Sequence, residues 1–519
     1  MGISGAWEIG WNLPAASVPS LEWYPPAGSP GGETMLALIS DLHFCDGTAT
    51  AGNVAPEVFA LALREIYEIA SHVARARDRP TRVDLVFLGD IFDLLRTERW
   101  FVDREGGSVP LSERPWGSAD AVSGQGVTPA VAARARGILA EILERNAAAL
   151  ATLRGEREAP PPGVEVRRLY VPGNHDRLYL HDAGLRAGIL GGLGAVDGEG
   201  LGSEGVFLHR LEMPEYGLVA RHGHEWDVWN FPGYRPDAVA SEYTDADYLA
   251  APIGDPVTTE MAARLPFEMR IRLLDSGAFP ERLANRIHHR FKRIEDVRPL
   301  FASFHWAYHE MGRIAAELDP RRARILDAAL GDTVRRLARD FRRLDFCEAW
   351  LERHHRAFHL DAAVLLRIIL CGLSAPAWFP VEWIAEGIER ILVSRNPRTV
   401  TRKGALCEDL GRVGRAEMRF VVYGHTHAPE QVPLYGGGRT QDVYLNTGTY
   451  RPGVFRADGE GFVGWQRLAY VCISSAEEAL AYQGPFGARN VGPAFVSWSG
   501  ALSAGAVSRA GMASMRWPR

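Results

Sequence analysis

Five short blocks in this chain combine residue types that hold divalent cations: Asp41-Leu42-His43, Gly89-Asp90, Gly173-Asn174-His175-Asp176, His222-Gly223-His224 and Gly424-His425-Thr426-His427. Carboxylate, imidazole and amide oxygen without thiolate suit hard or borderline ions such as Mn, Fe, Zn or Ni, with Mn favoured, and do not suit a structural zinc finger. So many donors exceed the needs of one ion with an open position, whereas two ions sharing a bridging carboxylate use them all. Two ions about 3.5–4 Å apart clamp the attacking and leaving oxygens of a phosphoryl displacement. Water shared between them loses a proton near neutral pH and becomes the nucleophile.

Each block follows a predicted strand, and strand ends with short turns are where side chains from different strands meet. Strands are expected at 35–40, 83–88 and 164–171, with helices at 56–76 and 130–153 between them. Phe59, Leu63, Ile66, Ile69 and Val73 give the first helix its apolar spacing. This β-α-β-α-β order predicts a layered α/β core. Residues 97–128, rich in Gly, Ser and Pro, read as a surface loop, and 206–210 with 218–222 as a hairpin-like pair. Strands resume at 418–423, 443–447 and 462–473. Between them, 226–410 reads as an inserted helical cap, with helices expected at 300–318, 323–344 and 362–373. The core is thus expected over 35–225 and 411–475, after an extended leader at 1–34 and before a loosely packed arm at 476–519.

The chain has 519 residues, 46% hydrophobic and 24% charged, which excludes collagen, coiled coil and wholesale disorder. Its net charge of −6 gives no general attraction to nucleic acid. Five scattered cysteines without a CxxC pair argue against a disulfide framework and for a reducing compartment. With no signal peptide evident, a cytoplasmic protein is expected.

The five blocks, in this order, resemble the calcineurin-like metallophosphoesterases, whose pattern is D-x-H, G-D, G-N-H-D/E, a lone His and G-H-x-H. The resemblance implies a four-layer α-β-β-α sandwich in the α/β (α+β) class. It places Asp41, His43 and His427 on a first divalent ion, Asn174, His222 and His425 on a second, and Asp90 between the two. It implies that His175 is catalytic, assisting at the phosphoryl oxygens or the leaving oxygen, and that Asp176 orients its ring. The activity implied is hydrolysis of a phosphoester by in-line attack of a bridging hydroxide.

Residues 39–43, 89–92, His222-Gly223 and 424–429 are also similar to the branch acting on UDP-2,3-diacylglucosamine. His175 stands where that branch has Arg, and His224 where it has Asp, so the substrate stays open. A nucleotide-diphospho-lipid or another bulky phosphoester fits a cap of apolar and arginine-rich surfaces. A nuclease and a non-catalytic scaffold are the alternatives.

Asp93 either accepts a hydrogen bond from a ligand histidine or caps a helix, and His224 either approaches the substrate or packs. Arg335 and Arg339, near Asp332 and Asp340, read as a solvated face. The apolar stretch 362–381 reads as the cap's core, with peripheral membrane contact as the alternative. Asn446-Thr447-Gly448 is expected as a turn close to the site.

Overall fold

The computed structural model describes residues 34–50, 54–78, 80–117, 121, 127–197, 208–235, 243–298, 302–354, 362–374, 397–410, 418–437, 440–457, 461–474 and 494–503. The leader, with its Trp7, Trp11 and Trp23, lies outside them, as does most of the stretch that follows the apolar helix at 362–373.

Strand β1 (Thr34–Ile39) leads through helix α1 (Pro56–Arg77) to β2 (Thr81–Leu88). From there α2 (Pro129–Arg145) and α3 (Ala147–Leu153) lead to β3 (Val164–Val171). All three strands pair in parallel, β1 with β2 from Thr34↔Arg82 to Ile39↔Phe87 and β2 with β3 from Thr81↔Val164 to Leu88↔Val171. The helix expected over 130–153 is broken at Asn146. Its side chain donates to Ile142 O at 2.7 Å and to Cys45 O at 3.1 Å, so the amide ends one helix and ties it to the chain after β1.

After α4 (Ala183–Leu193), a short hairpin joins β4 (Leu211–Met213) to β5 (Leu218–Ala220). The first strand of this pair lies beyond the expected 206–210, of which 206–207 fall outside the described residues. The helical stretch holds α5 (Asp245–Leu249), α6 (Gly254–Pro256), a π-helical segment (Val257–Ala263), α7 (Arg264–Asp275), α8 (Glu281–Phe291), α9 (Ser303–Ala315), α10 (Pro320–Arg342), α11 (Asp345–His354), α12 (Ala362–Leu373) and α13 (Pro397–Ala405). It also contributes β6 (Val297–Arg298). The chain closes with β7 (Met418–Tyr423), β8 (Glu430–Gly437), β9 (Thr440–Asn446), β10 (Pro452–Arg456), β11 (Phe462–Ser474) and β12 (Ala494–Ser503).

Two mixed sheets result, one ordered β3-β2-β1-β11-β10-β6 with β12 on β11, the other β4-β5-β7-β9-β8. Period-two alternation divides the faces. Leu36, Leu38, Val86 and Leu88 join Leu218, Ala220, Phe420 and Val422 in one apolar layer between the sheets. Met35, Ala37, Ile39, Val83, Leu85 and Phe87 face the helical side with Phe59, Leu63 and Ile138. On the far side, Val219, Val421, Tyr423 and Tyr444 pack with Trp226, Ala405 and Leu410.

Three expectations change. Residues 97–128 do not form a surface loop throughout, because Trp100 and Trp116 are fully buried and their indole N–H groups reach Leu94 O (2.8 Å) and Glu260 Oε1 (2.9 Å). Pairing two such rings with acceptors fixes the loop to the core. The tail is not loose throughout, since β12 pairs with β11 from Trp465↔Ser503 to Ser474↔Ala494. The helical stretch is not purely helical, since β6 extends the first sheet beside β10 through Val454↔Val297 and Phe455↔Arg298. No helix among the described residues is long and apolar enough to cross a membrane.

Candidate metal centre

The five blocks stand at the ends of β1, β2, β3, β5 and β7, and backbone bonds lock their loops together. Asp41 N donates to Gly89 O at 3.1 Å, His43 N to Asp90 O at 2.9 Å, and Gly424 N to His222 O at 2.9 Å. Five candidate ligands have left-handed backbones: Asp41 (φ 52°), His43 (45°), Asp90 (53°), His425 (65°) and His427 (57°). Such strain costs on the order of 1–3 kcal/mol per residue and persists only where the surroundings impose it. The loops also approach very closely. A Cβ on Gly173 would lie 2.3 Å from Asp90 Oδ1, and one on Gly89 2.5 Å from His222 Nδ1.

Two donor groups form. In the first, His427 Nε2 lies 3.3 Å from Asp41 Oδ1 and 3.1 Å from His43 Nε2. In the second, Asp90, His222 and His425 offer ligand atoms all within 4.8 Å of one another. Asp90 joins the groups, its Oδ2 standing 3.1 Å from His222 Nε2 and 3.8 Å from His43 Nε2. Its Oδ1 accepts from His175 N at 2.8 Å, which fixes the turn bearing Asn174. Asp41 Oδ1, Asn174 Oδ1 and His222 Nε2 are buried without a hydrogen-bond partner. Buried polar atoms are normally satisfied, so these three fit a cation that the donor set could hold.

The other ring nitrogens are anchored, as metal-ligating histidines require. His43 Nδ1 bonds Asp93 Oδ2 at 2.8 Å, and His222 Nδ1 bonds Leu88 O at 2.9 Å. His425 Nε2 bonds Asp227 Oδ2 at 3.2 Å, leaving its Nδ1 for the cluster. Asp227 Oδ2 also accepts from Asn230 Nδ2 at 2.8 Å, and Asn230 Oδ1 accepts from Asn174 Nδ2 at 3.4 Å. His425 and Asn174 are therefore held by one bracket of two side chains. Ser40 Oγ donates to Asp41 Oδ2 and pairs with Thr447 Oγ1 at 2.6 Å, so the turn at 446–448 does reach the site.

His175 is oriented by Asp93, whose Oδ1 stands 3.2 Å from its Nδ1. The expectation that Asp176 performs this task is overturned. Asp176 points into its own turn, accepting from Gly173 N at 2.5 Å, Ile91 N at 3.3 Å and the Tyr170 hydroxyl. The turn consumes the side chain that a reading by adjacency assigns to the next residue. Asp93 also accepts from Leu95 N and Arg96 N at 3.1 and 3.0 Å in the bend that follows it, but the short helix at Glu98–Trp100 is capped by Thr97, so of the two roles considered Asp93 fills the histidine-bonding one.

The electrostatics follow from burial and close pairing. Burial, followed by the Arg96 charge, lowers the His43 pKa, and burial with Arg298 lowers that of His427 strongly, so both rings stay neutral with lone pairs to give. Burial would lower His222 too, but Asp90 and Asp41 outweigh it and raise the ring to about 10. Burial disfavours a charged Asp90, yet His222 and His175 hold its pKa well down. For His175 itself, Asp93 and Asp90 overcome burial and raise the pKa. Asp176 is pushed up to about 7 by burial and by Asp90. His224 packs edge-on against Phe231 and Tyr248, and burial lowers it to about 3.

Asp227, Asn230, Arg96 and Arg298 were not legible as site residues. The only local signal was the Asp-x-x-Asn spacing after His222, which suits an Asx turn. Arg335 pairs with Asp332 at 2.8 Å, as its spacing suggested. Comparison with protein-family models, curated proteins and solved structures finds no match for this chain.

Proposed function

We propose that this chain is a metal-dependent phosphoester hydrolase. Asp41, His43 and His427 would hold one divalent ion, Asn174, His222 and His425 a second, and Asp90 would lie between them. The observation carrying this reading is the joining of two donor groups through Asp90, beside three buried ligand atoms that lack a hydrogen-bond partner. Bound there, Mn or a similar ion supplies Lewis acidity and a water acidic enough to attack phosphorus in line.

The protein's own groups do the rest. The Asp227–Asn230 bracket and the Leu88 carbonyl fix the second ligand set, while Asp93 fixes His43. His175, held by Asp93 and carrying a raised pKa, stands beside the ligands to share charge with a phosphoryl oxygen or give a proton to the leaving oxygen. Two facing sheets with packing layers on both outer sides support the four-layer α-β-β-α sandwich of metallophosphoesterases, with 226–410 as a cap between His222 and His425. Turnover of p-nitrophenyl phosphate and bis(p-nitrophenyl) phosphate by Mn-loaded protein tests the proposal. Wild type should turn over at least one of them and Asp90→Ala neither. An inactive wild type, or a fully active variant, would end it.

A further inference from the structure

Cationic side chains stand beside the donor groups in excess of what metal ligation explains. Arg96 is 3% exposed, and its Nε lies 3.0 Å from Asp93 Oδ2 and 3.5 Å from Glu295 Oε2. Its Nε and Nη1 are nonetheless buried without a hydrogen-bond partner. Arg298 comes from the edge strand β6. Its Nη1 donates to the carbonyls of Glu295 and Val297, both at 2.9 Å, and this holds Nη2 3.2 Å from His427 Nδ1.

The anions nearby do not balance the pair. Asp93 is already engaged by His43 and His175. Asp296 is turned to Arg451 at 2.9 Å. Both Glu295 oxygens are buried without a hydrogen-bond partner, and burial pushes this carboxyl up to about 7. A buried Arg96 with unpartnered nitrogens, beside the guanidinium of Arg298, is costly, and an anion relieves it.

The seating of Arg298 against His427 places its guanidinium beside the first donor group. A guanidinium only donates, so the Arg298 Nη2 group donates to His427 Nδ1. Nε2 is the atom facing Asp41 Oδ1 at 3.3 Å.

We propose that Arg96 and Arg298 form an anion subsite that takes a terminal oxygen of a phosphoryl dianion, so that the centre prefers phosphomonoesters and terminal phosphates to phosphodiesters. This deepens the hydrolase reading and rests on it. A phosphoryl dianion has three terminal oxygens, enough for two ions and a guanidinium. A diester has two, and its second ester group meets the arginine wall.

The test measures inorganic phosphate binding to the full-length chain by calorimetry, in EDTA-treated and Mn-loaded protein, with metal content determined in parallel. Arg298→Met should weaken phosphate binding roughly 10–100-fold in both forms, the range for losing a charge-assisted contact. Arg298→Lys should recover part of it, since Lys keeps the charge but not the fork. The ratio of monoester to diester kcat/KM should exceed one in wild type and fall in Arg298→Met. Unchanged phosphate binding in Arg298→Met, or a wild-type preference for the diester, overturns the subsite and leaves the hydrolase reading intact if metal and turnover persist. Phosphate binding that depends on Arg298 in a protein without metal or turnover supports the subsite and ends the hydrolase reading.

Discussion

If the centre holds two ions as proposed, replacing Asp227 with Asn should affect the two sites unequally. The Asp227 Oδ2 atom accepts from His425 Nε2 at 3.2 Å and from Asn230 Nδ2 at 2.8 Å, while Oδ1 accepts from Trp229 N at 2.9 Å. Asn keeps an acceptor for Trp229 but sets an NH2 group against two donors, so both Oδ2 contacts are lost. Each hydrogen bond to a charged group is worth about 1.5–3 kcal/mol. Losing His425's anchor lowers metal affinity by about 10–100-fold, equivalent to about 1.4–2.7 kcal/mol. Asn174, held by Asn230, loosens as well. The first group has no contact with Asp227 among the hydrogen bonds of its ligands, so its ion should be retained. Titrating metal-stripped protein with Mn by calorimetry, with bound metal counted by mass spectrometry after dialysis, should give one site near wild-type affinity and one weakened by that factor. Equal retention of both ions, or their equal loss in a protein whose circular dichroism is unchanged, would refute the bracket.

His175→Gln should lower kcat by roughly 10²–10⁴-fold, the usual worth of a positioned acid–base group, with both ions retained by mass spectrometry; loss of the ions instead would recast His175 as a structural support. His224 titrates near 3 in the fold against an ordinary value of 6.5, so below pH 6.5 the unfolded chain binds a proton that the folded chain refuses. Its contribution to stability is full above pH 6.5 and declines by up to about 1.4 kcal/mol per pH unit as pH falls toward 3. In urea unfolding at pH 7, 6 and 5, His224→Leu should lose stability less steeply than wild type, and parallel slopes would contradict this. Deleting 476–519 removes β12 and bares the edge of β11, which predicts a lower melting temperature and self-association by light scattering. A monodisperse truncation melting like the full chain would show that this edge needs no cover.

The elements whose cause is local were readable. Strands β3 and β7 and helix α12 lie where apolar runs and periodicity set them, and the donor blocks stand at strand ends. Residue type and spacing are enough for that, because a strand's alternation and a turn's glycine act within a few positions. Partner choice is different in kind. Whether Asp176 or Asp93 holds His175 depends on which carboxylate the turn at 173–176 has already spent on its own N–H groups. The bracket of Asp227 and Asn230, the burial of Trp100 and Trp116, the seating of Arg298 against His427 and the strand made by 494–503 all join residues far apart in the chain. The chain alone determined the donors and their order; only the packing of two sheets, which brings distant loops within hydrogen-bond reach, decided which groups orient those donors and which charges surround them.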